Sequence, residues 1–502
     1  MTIKAQDDSE GELILAAEEC PDDQFEQLHA FSSYDDVIIR KLSAHGPVLI
    51  RGGRGSGKSA LLIEAHRRMK AAGSVFSVYM SLRYLPLLQS DGPEYIGHFC
   101  ALLSEKIGRE LRSQSIDMDF GTAEDEVSLQ ISLLRLSQNI GKRIVILFDD
   151  AAHIGREKPL EVFFDLFRTL SSSTTSCKAS IYPGVTRFGV RFDVFNDSTV
   201  LDISRSSAVG ASHYFFDVLK TRYPKLASRD IFSDRMTPEK FANLLGRAVV
   251  GNMRAFILAC NRFDGHEKIN IPSINSCFLD MATDYYWPLM EEVAPKLGVY
   301  EPLIDPAIKI FETIIEHICR PLRVAGSRSV AQDRIIIHRK IVSNFAKIFE
   351  ILEYLGFMSK IEASRGMKSS GRGPVYAINL CSLLEQIPTK RLTIEMIDDW
   401  VEGRQDLAEI HASSSTFDSV SMPPLNEGNS LGILSKDIEV LAKSPAYPYG
   451  LTEDKIIKLK SAGINTVYDL ANAPDFELLN LERVGSATLK RMRDVTLQAI
   501  WM

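Results

Sequence analysis

The chain has 502 residues, of which 45% are hydrophobic and 25% charged, with a formal net charge of −7. That balance is near the globular average, the length points to roughly three domains, and no run approaches the ~18 apolar residues of a membrane span. Seven cysteines without a C-x-x-C pair exclude a disulfide framework and a spaced zinc site. The acidic start, MTIKAQDDSEGELILAAEECPDD, lacks the basic stretch and apolar core of a secretory signal. Residues 1–20 read as a tail, and a cytoplasmic location is expected.

The first chemical signal is GGRGSGKSALL, which follows the apolar run HGPVLI and precedes a helical pattern, IEAHRRMKAAG. Gly52, Gly57, Lys58 and Ser59 meet the spacing G-x-x-x-x-G-K-[ST] in full. Converging backbone N–H groups need glycine conformations, and the following helix points its positive end at the same anion. Gly52, Gly53, Arg54, Gly55, Ser56, Gly57, Lys58, Ser59 and Ala60 are therefore the expected ATP-binding residues. Gly53 and Gly55 are assigned to positions where a side chain would block the phosphates. Lys58 is expected to reach the β and γ phosphates, and the Ser59 hydroxyl to complete a Mg²⁺ shell. The alternative is a glycine-rich turn that joins strand to helix.

Further on, KRIVILFDDAAH holds an uninterrupted apolar run, Ile144 to Phe148, as expected of a central parallel strand. It ends in two acids. Asp149 is the candidate Mg²⁺ partner and Asp150 the candidate water-orienting carboxylate; the bland reading is a strand-end turn with an Asp helix cap.

On these motifs, residues 20 to 290 resemble the additional-strand P-loop ATPases, especially the AAA+ initiator-like enzymes and the related STAND signalling ATPases. The resemblance implies an α/β fold with a parallel sheet and a helical lid, and ATP and Mg²⁺ as cofactors. KASIYPGVTRFG is similar to the strand that ends in a γ-phosphate sensor, here Thr186 and Arg187, and VVGNMRAFI to the start of a lid helix whose Arg254 is the second sensor. AAA+ enzymes usually carry Glu where this chain has Asp150. A shorter acid stands farther from an attacking water, which suits slow turnover.

In the next region, residues 320 to 372 hold eleven basic and four acidic side chains, a local charge of +7 that leaves about −14 elsewhere. Such a patch attracts polyanions. DPAIKIFETIIEHICR and HRKIVSNFAKIFEILEYLGF read as helices, and MSKIEASRGMKSSGRGPVYAINL as a β-hairpin with a basic tip. This order resembles a winged helix-turn-helix, in which the tip residues Arg365, Lys368 and Arg372 contact DNA phosphates. Glu350 and Glu353 on the candidate recognition helix leave base reading without an obvious donor set. A winged helix used for protein contact is the alternative.

Residues 411 to 430, HASSSTFDSVSMPPLNEGNS, read as a flexible linker. Beyond it, residues 449 to 500 resemble the helix-hairpin-helix domain at the C-terminus of the bacterial RNA polymerase alpha subunit. Asp454, Ile457 and Arg483 stand where that family carries DNA-contacting residues and a glycine, so phosphate contact and protein docking both stay open.

The expected domains are a tail (1–20), a P-loop ATPase core (21–210), a helical lid (211–300), a winged helix (301–400), a linker (401–445) and a small all-α helix-hairpin-helix domain (446–502). Two functions compete. One is a DNA-associated AAA+ ATPase that loads, remodels or surveys nucleic acid, antiviral defence included, and assembles as a homo-oligomer in its ATP state. The other is a STAND-like signalling switch whose C-terminal domains bind an effector or partner protein. Neither involves a membrane.

Overall fold

A computed structural model describes residues 14–84, 93–152, 157–185, 188, 191–205, 211–233, 235–323, 331–403, 407–425, 432–444, 447, 450–482 and 484–501. Its first layer is a five-stranded sheet of β1 (Val48–Arg51), β2 (Val75–Ser81), β3 (Arg143–Ala152), β4 (Thr175–Ile181) and β5 (Thr199–Asp202), in the order β2-β3-β4-β1-β5. Every pairing in it is parallel. Strand β4 is thus inserted between the strand that leads into the glycine-rich loop and the strand that carries the paired acids.

A parallel sheet must be covered on both faces, and the period-two alternation of β3 shows how that is met. Val145 and Leu147 face one way, with Leu61, Leu62 and Ala65 of the Lys58–Ala72 helix. Ile144, Ile146 and Phe148 face the other, with Phe99, Phe163 and Phe167. None of the five residues Ile144–Phe148 retains measurable exposure. The fold is α/β, built on a five-stranded parallel sheet covered on both faces.

After the sheet come the helices Ala211–Arg222, Pro238–Ala248, Met253–Asn261 and Ile271–Met281, and later the Ile304–Arg323 helix. Next are β6 (Arg334–Ile337), the helices Arg339–Asn344 and Ala346–Leu355, β7 (Met358–Gly366), β8 (Arg372–Ile378) and β9 (Ala408–Ile410). The expected single helical stretch at 338–357 is broken at Phe345, whose ψ of 27° departs from the helix. These four strands form a second sheet in the order β7-β8-β6-β9.

Two differences from the sequence expectation arise from packing. One continuous apolar cluster runs from Tyr214 to Phe417 and so includes residues on both sides of the expected boundary at 300. Moreover, Ala408–Ile410 pairs in parallel with β6 and Phe417 is only 5% exposed, so the start of the expected 401–445 linker belongs with the second sheet. At the C-terminal end, the helices Glu453–Ser461, Val467–Asn472, Asp475–Leu479 and Ser486–Trp501 enclose Leu459, Leu470, Leu478 and Met492, which join the same apolar cluster as the second face of the first sheet.

Candidate nucleotide site

Strand β1 delivers the chain into residues 52–57, and Gly57, at φ 87°, stands in the N-cap position of the Lys58–Ala72 helix without side-chain capping. The first-turn N–H groups of a helix have no partner inside it. Here Lys58, Ser59 and Ala60 line a cavity together with Arg54, Gly55 and Ser56. Lys58 lies under this surface, 6% exposed. Its Nζ donates to the carbonyls of Gly52 (2.8 Å) and Gly53 (3.0 Å) and sits 3.7 Å from the centre of the Tyr182 ring. Desolvation pushes its pKa down to about 7, against the opposing pull of Asp149 and Asp150. A group so weakly solvated gains most from an incoming anion.

On the other side of β4 lies the acid pair. Asp149 is fully buried; its Oδ1 accepts from the Ser180 hydroxyl (2.6 Å) and its Oδ2 from the Tyr79 hydroxyl (2.8 Å), which fixes the carboxylate plane. Asp150 adopts a left-handed φ of 52°, uncommon without glycine. Its N–H donates to Asp149 Oδ1 (2.9 Å) and to the Ser180 hydroxyl (3.0 Å), and its Oδ2 accepts from Ser81 (3.1 Å). Burial first, then the charges of Asp149 and Glu18, raises the Asp150 pKa well above the usual carboxylate range. A third carboxylate, Glu18, has an oxygen within 4.8 Å of one from each of Asp149 and Asp150. Its pKa is likewise raised by desolvation and by Asp149, while a hydrogen bond from Ser59 opposes the rise.

Arg254, in the first turn of the Met253–Asn261 helix, lines the cavity from the helical side, and its buried Nε has no hydrogen-bond partner among the described residues. The helix is tied to the loop, since Met253 N–H donates to the Gly55 carbonyl (2.7 Å). Arg205 sits beneath Gly57. Its Nε donates to the Ser56 carbonyl (3.1 Å), its Nη1 pairs with Asp35 at 2.7 Å, and its guanidinium lies 4.3 Å from the Tyr214 ring centre. Both partners of that ion pair are buried. Leu28, Phe31, Tyr214, Val218 and Ile257 also line the cavity and offer apolar surface suited to a flat ring.

The structure thus brings Lys58, Ser59, Asp150 and Arg254 to one cavity, with Asp149 behind it. Thr186 and Arg187 lie outside the described residues. Two glycines are also required by packing within the protein. A Cβ on Gly53 would meet the Glu353 carbonyl oxygen at 2.7 Å, and one on Gly55 would meet Asn252 Oδ1 at 2.2 Å. Protein atoms lie where those Cβ atoms would stand, so close packing by itself requires glycine at both positions. Indeed, the Arg54 N–H donates to the Tyr354 carbonyl (2.9 Å), so the C-terminal end of the Ala346–Leu355 helix sits on the phosphate loop. Lys347 of the same helix donates to the Gly184 carbonyl (2.6 Å) just past β4, and Tyr354 meets Tyr182 edge-on at 5.0 Å. The candidate recognition helix is therefore turned into the molecule, with Ile348, Phe349, Ile351, Leu352, Tyr354 and Leu355 buried.

The hairpin tip is exposed, and its basic side chains have partners. Arg365 Nε donates to Glu362 (2.7 Å), and Arg372 Nε to the Ser364 hydroxyl (3.0 Å). The N–H groups of Lys368 (2.8 Å) and Ser369 (3.3 Å) donate to the Glu409 carboxylate. The +7 count omits Glu409, which folding brings under the tip from β9. Sequence reasoning also missed Glu18, Tyr79, Ser180 and the Arg205–Asp35 pair. Only Asp35 had a local signal, as the acid of a Ser32–Asp35 capping box.

No protein-family model matches the chain, and no curated protein matches it either. Among solved structures, it is similar to Cdc6p from Pyrobaculum aerophilum, at 13% identity and a TM-score of 0.34 over 76% of this chain and 98% of that one. It is also similar to the Aeropyrum pernix ORC1 protein in complex with DNA, at 13% identity and a TM-score of 0.32 over 75% and 94%. A third is the signal transduction ATPase with numerous domains PH0952 from Pyrococcus horikoshii, at 12% identity and a TM-score of 0.25 over 75% and 45%. Likenesses at this level say nothing about what this chain binds.

Proposed function

We propose that the chain binds ATP with Mg²⁺, hydrolyses it slowly, and uses the nucleotide state to control the unit built around the second sheet. The observation that carries this reading is the meeting of a desolvated Lys58 and an uncapped helix start with Asp149, held by two hydroxyls across β4. The donor set fits the group. Ser59 and Asp149 offer hard oxygen ligands for Mg²⁺, and the first-turn N–H groups with Lys58 suit a polyphosphate. When bound, Mg²⁺ neutralises phosphate charge and orients the nucleotide. Lys58 leaves the Gly52 and Gly53 carbonyls for phosphate oxygens, Arg254 adds a cation from the helical side, and Asp150 orients the attacking water. The apolar lining of the cavity takes the base.

Control of the second sheet rests on the contacts of the Ala346–Leu355 helix, because any nucleotide-driven shift at Arg54 also moves the Tyr354 carbonyl. The order helix, β6, two helices, β7, β8 supports reading this unit as a winged helix, and the glycine turn at Gly463, with its φ of 84° between two short helices, supports the helix-hairpin-helix reading. The exposed tip with Arg365, Lys368 and Arg372 makes DNA the partner, through phosphate contacts that position without selecting sequence. A partner protein is the second reading. It is favoured by exposed apolar side chains on the C-terminal helices, Ile457 at 58%, Tyr468 at 52% and Phe476 at 64%.

Steady-state ATP hydrolysis, titrated with double- and single-stranded DNA at two salt concentrations, tests the reading. Asp150→Ala should keep ATP bound and lower turnover by about 10²- to 10⁴-fold, the usual range for a lost acid–base group. Normal hydrolysis in that variant removes Asp150 from the site. Salt-sensitive stimulation by DNA that is lost when Arg365, Lys368 and Arg372 all become Ala supports DNA as partner; tight ATP binding without any DNA effect favours the partner protein.

A further inference from the structure

The segment Ile14–Cys20 runs beside the nucleotide cavity, and residues 14 to 18 line it. It is held at both ends. Upstream, the Arg222 guanidinium donates to the Ile14 carbonyl, and Leu15 packs against the core of the helical unit. Downstream, Cys20 is buried, and Phe25 is 1% exposed, stacked on His29 at 4.1 Å and covered by Arg67 at 5.1 Å. Between these anchors the chain makes a single 3-10 turn, Ala17–Glu19, closed by Cys20 N–H to the Ala17 carbonyl (3.3 Å). That turn directs Glu18 inward. Its carboxylate lines the cavity with Ser59 and approaches Asp149 and Asp150 to within 4.8 Å.

Mg²⁺ with a nucleotide keeps several waters and takes only one or two carboxylates, so Asp149, Ser59 and the phosphates already satisfy it. A third carboxylate facing an incoming polyphosphate adds like-charge repulsion where water is scarce.

We propose that residues 14–20 form a built-in gate, in which Glu18 holds the cation position shut and ATP with Mg²⁺ binds by displacing the segment. This rests on the nucleotide reading above. The gate joins two bodies, since Leu15 belongs to the core of the helical unit and Glu18 reaches the sheet; opening it frees the helical unit from that tether as the nucleotide enters.

A fluorescent ATP analogue titrated in the presence and absence of Mg²⁺ tests this on the full chain, Glu18→Ala, Glu18→Gln and Leu15→Ala. A gate closed about nine-tenths of the time weakens apparent affinity about tenfold, so both Glu18 variants should bind about tenfold tighter with Mg²⁺. Leu15→Ala, which loosens the strap without touching the acids, should shift the same way by less. Amide hydrogen exchange over 14–20 should rise when ATP and Mg²⁺ are added. Unchanged or weaker binding in all three variants overturns the gate, as does increased protection of 14–20 by nucleotide. Absence of binding in every chain, the parent included, overturns the nucleotide site and the gate with it.

Discussion

The phosphate loop and the hairpin tip each bring positive charge to a surface, under opposite conditions. At the loop, Lys58 is almost wholly buried, rests on two carbonyls and has lost much of its proton affinity. At the tip, Arg365 lies in the open beside Glu362, and the turn is folded around the Glu409 carboxylate. A buried cation held by neutral carbonyls gains a large interaction when an anion arrives, whereas an exposed pair in water is worth little and must be broken before it can bind anything new. The loop thus holds a cation already desolvated for an anion, whereas the tip cations must first leave the partners they have.

The largest effect expected from breaking this contrast is beneath the loop. Arg205→Ala leaves Asp35 buried without its partner and removes the support of the Ser56 carbonyl. Loss of one partner of a buried pair costs about 3–5 kcal/mol, read as a lower midpoint in urea unfolding. A change below about 1 kcal/mol would mean that the pair is already open to water. Next in size is Gly53→Ala. The new methyl group collides with the Glu353 carbonyl, and overpacking of this kind costs about 1–3 kcal/mol. Faster amide exchange at Arg54 should accompany it; an unaltered Arg54 amide would show that the helix end does not rest on the loop. The smallest effect is at the tip. Changing Arg365, Lys368 and Arg372 to Ala should leave the melting temperature and ATP affinity unaltered while reducing the salt dependence of DNA binding, by about one unit of log–log slope per lost phosphate contact. An altered ATP affinity in that variant would make the tip part of the nucleotide switch.

The features legible in the sequence are those encoded locally. The glycine spacing specified the turn between β1 and the Lys58–Ala72 helix because the turn takes left-handed angles at Gly55 and Gly57 that glycine reaches at little cost. The apolar run Ile144–Phe148 specified a doubly covered strand, since five consecutive apolar side chains must be buried on both sheet faces. Arg254 was visible only through the resemblance of VVGNMRAFI to the start of a lid helix, which Asn252 caps in the structure. The features that were not legible depend on closure in three dimensions. Nothing near Gly53 indicates that the Glu353 carbonyl will lie against it. Glu18 is one acid among many in an acidic stretch until the turn at Ala17–Glu19 directs it toward Ser59. Arg205 has no motif around it, and Asp35 serves its helix cap equally well without an ion pair. At the tip, a charge window ending at Arg372 could not include Glu409, which enters through the parallel pairing of β9 with β6.

Calorimetric titration of ATP with Mg²⁺ into the full chain and into Lys58→Ala tests the central claim most directly. A charge-assisted hydrogen bond is worth up to about 3 kcal/mol, so the account predicts saturable binding by the parent at one site per chain and a loss of roughly a hundredfold in affinity in the variant. Equal affinities in the two chains, or no heat of binding in the parent, would contradict it.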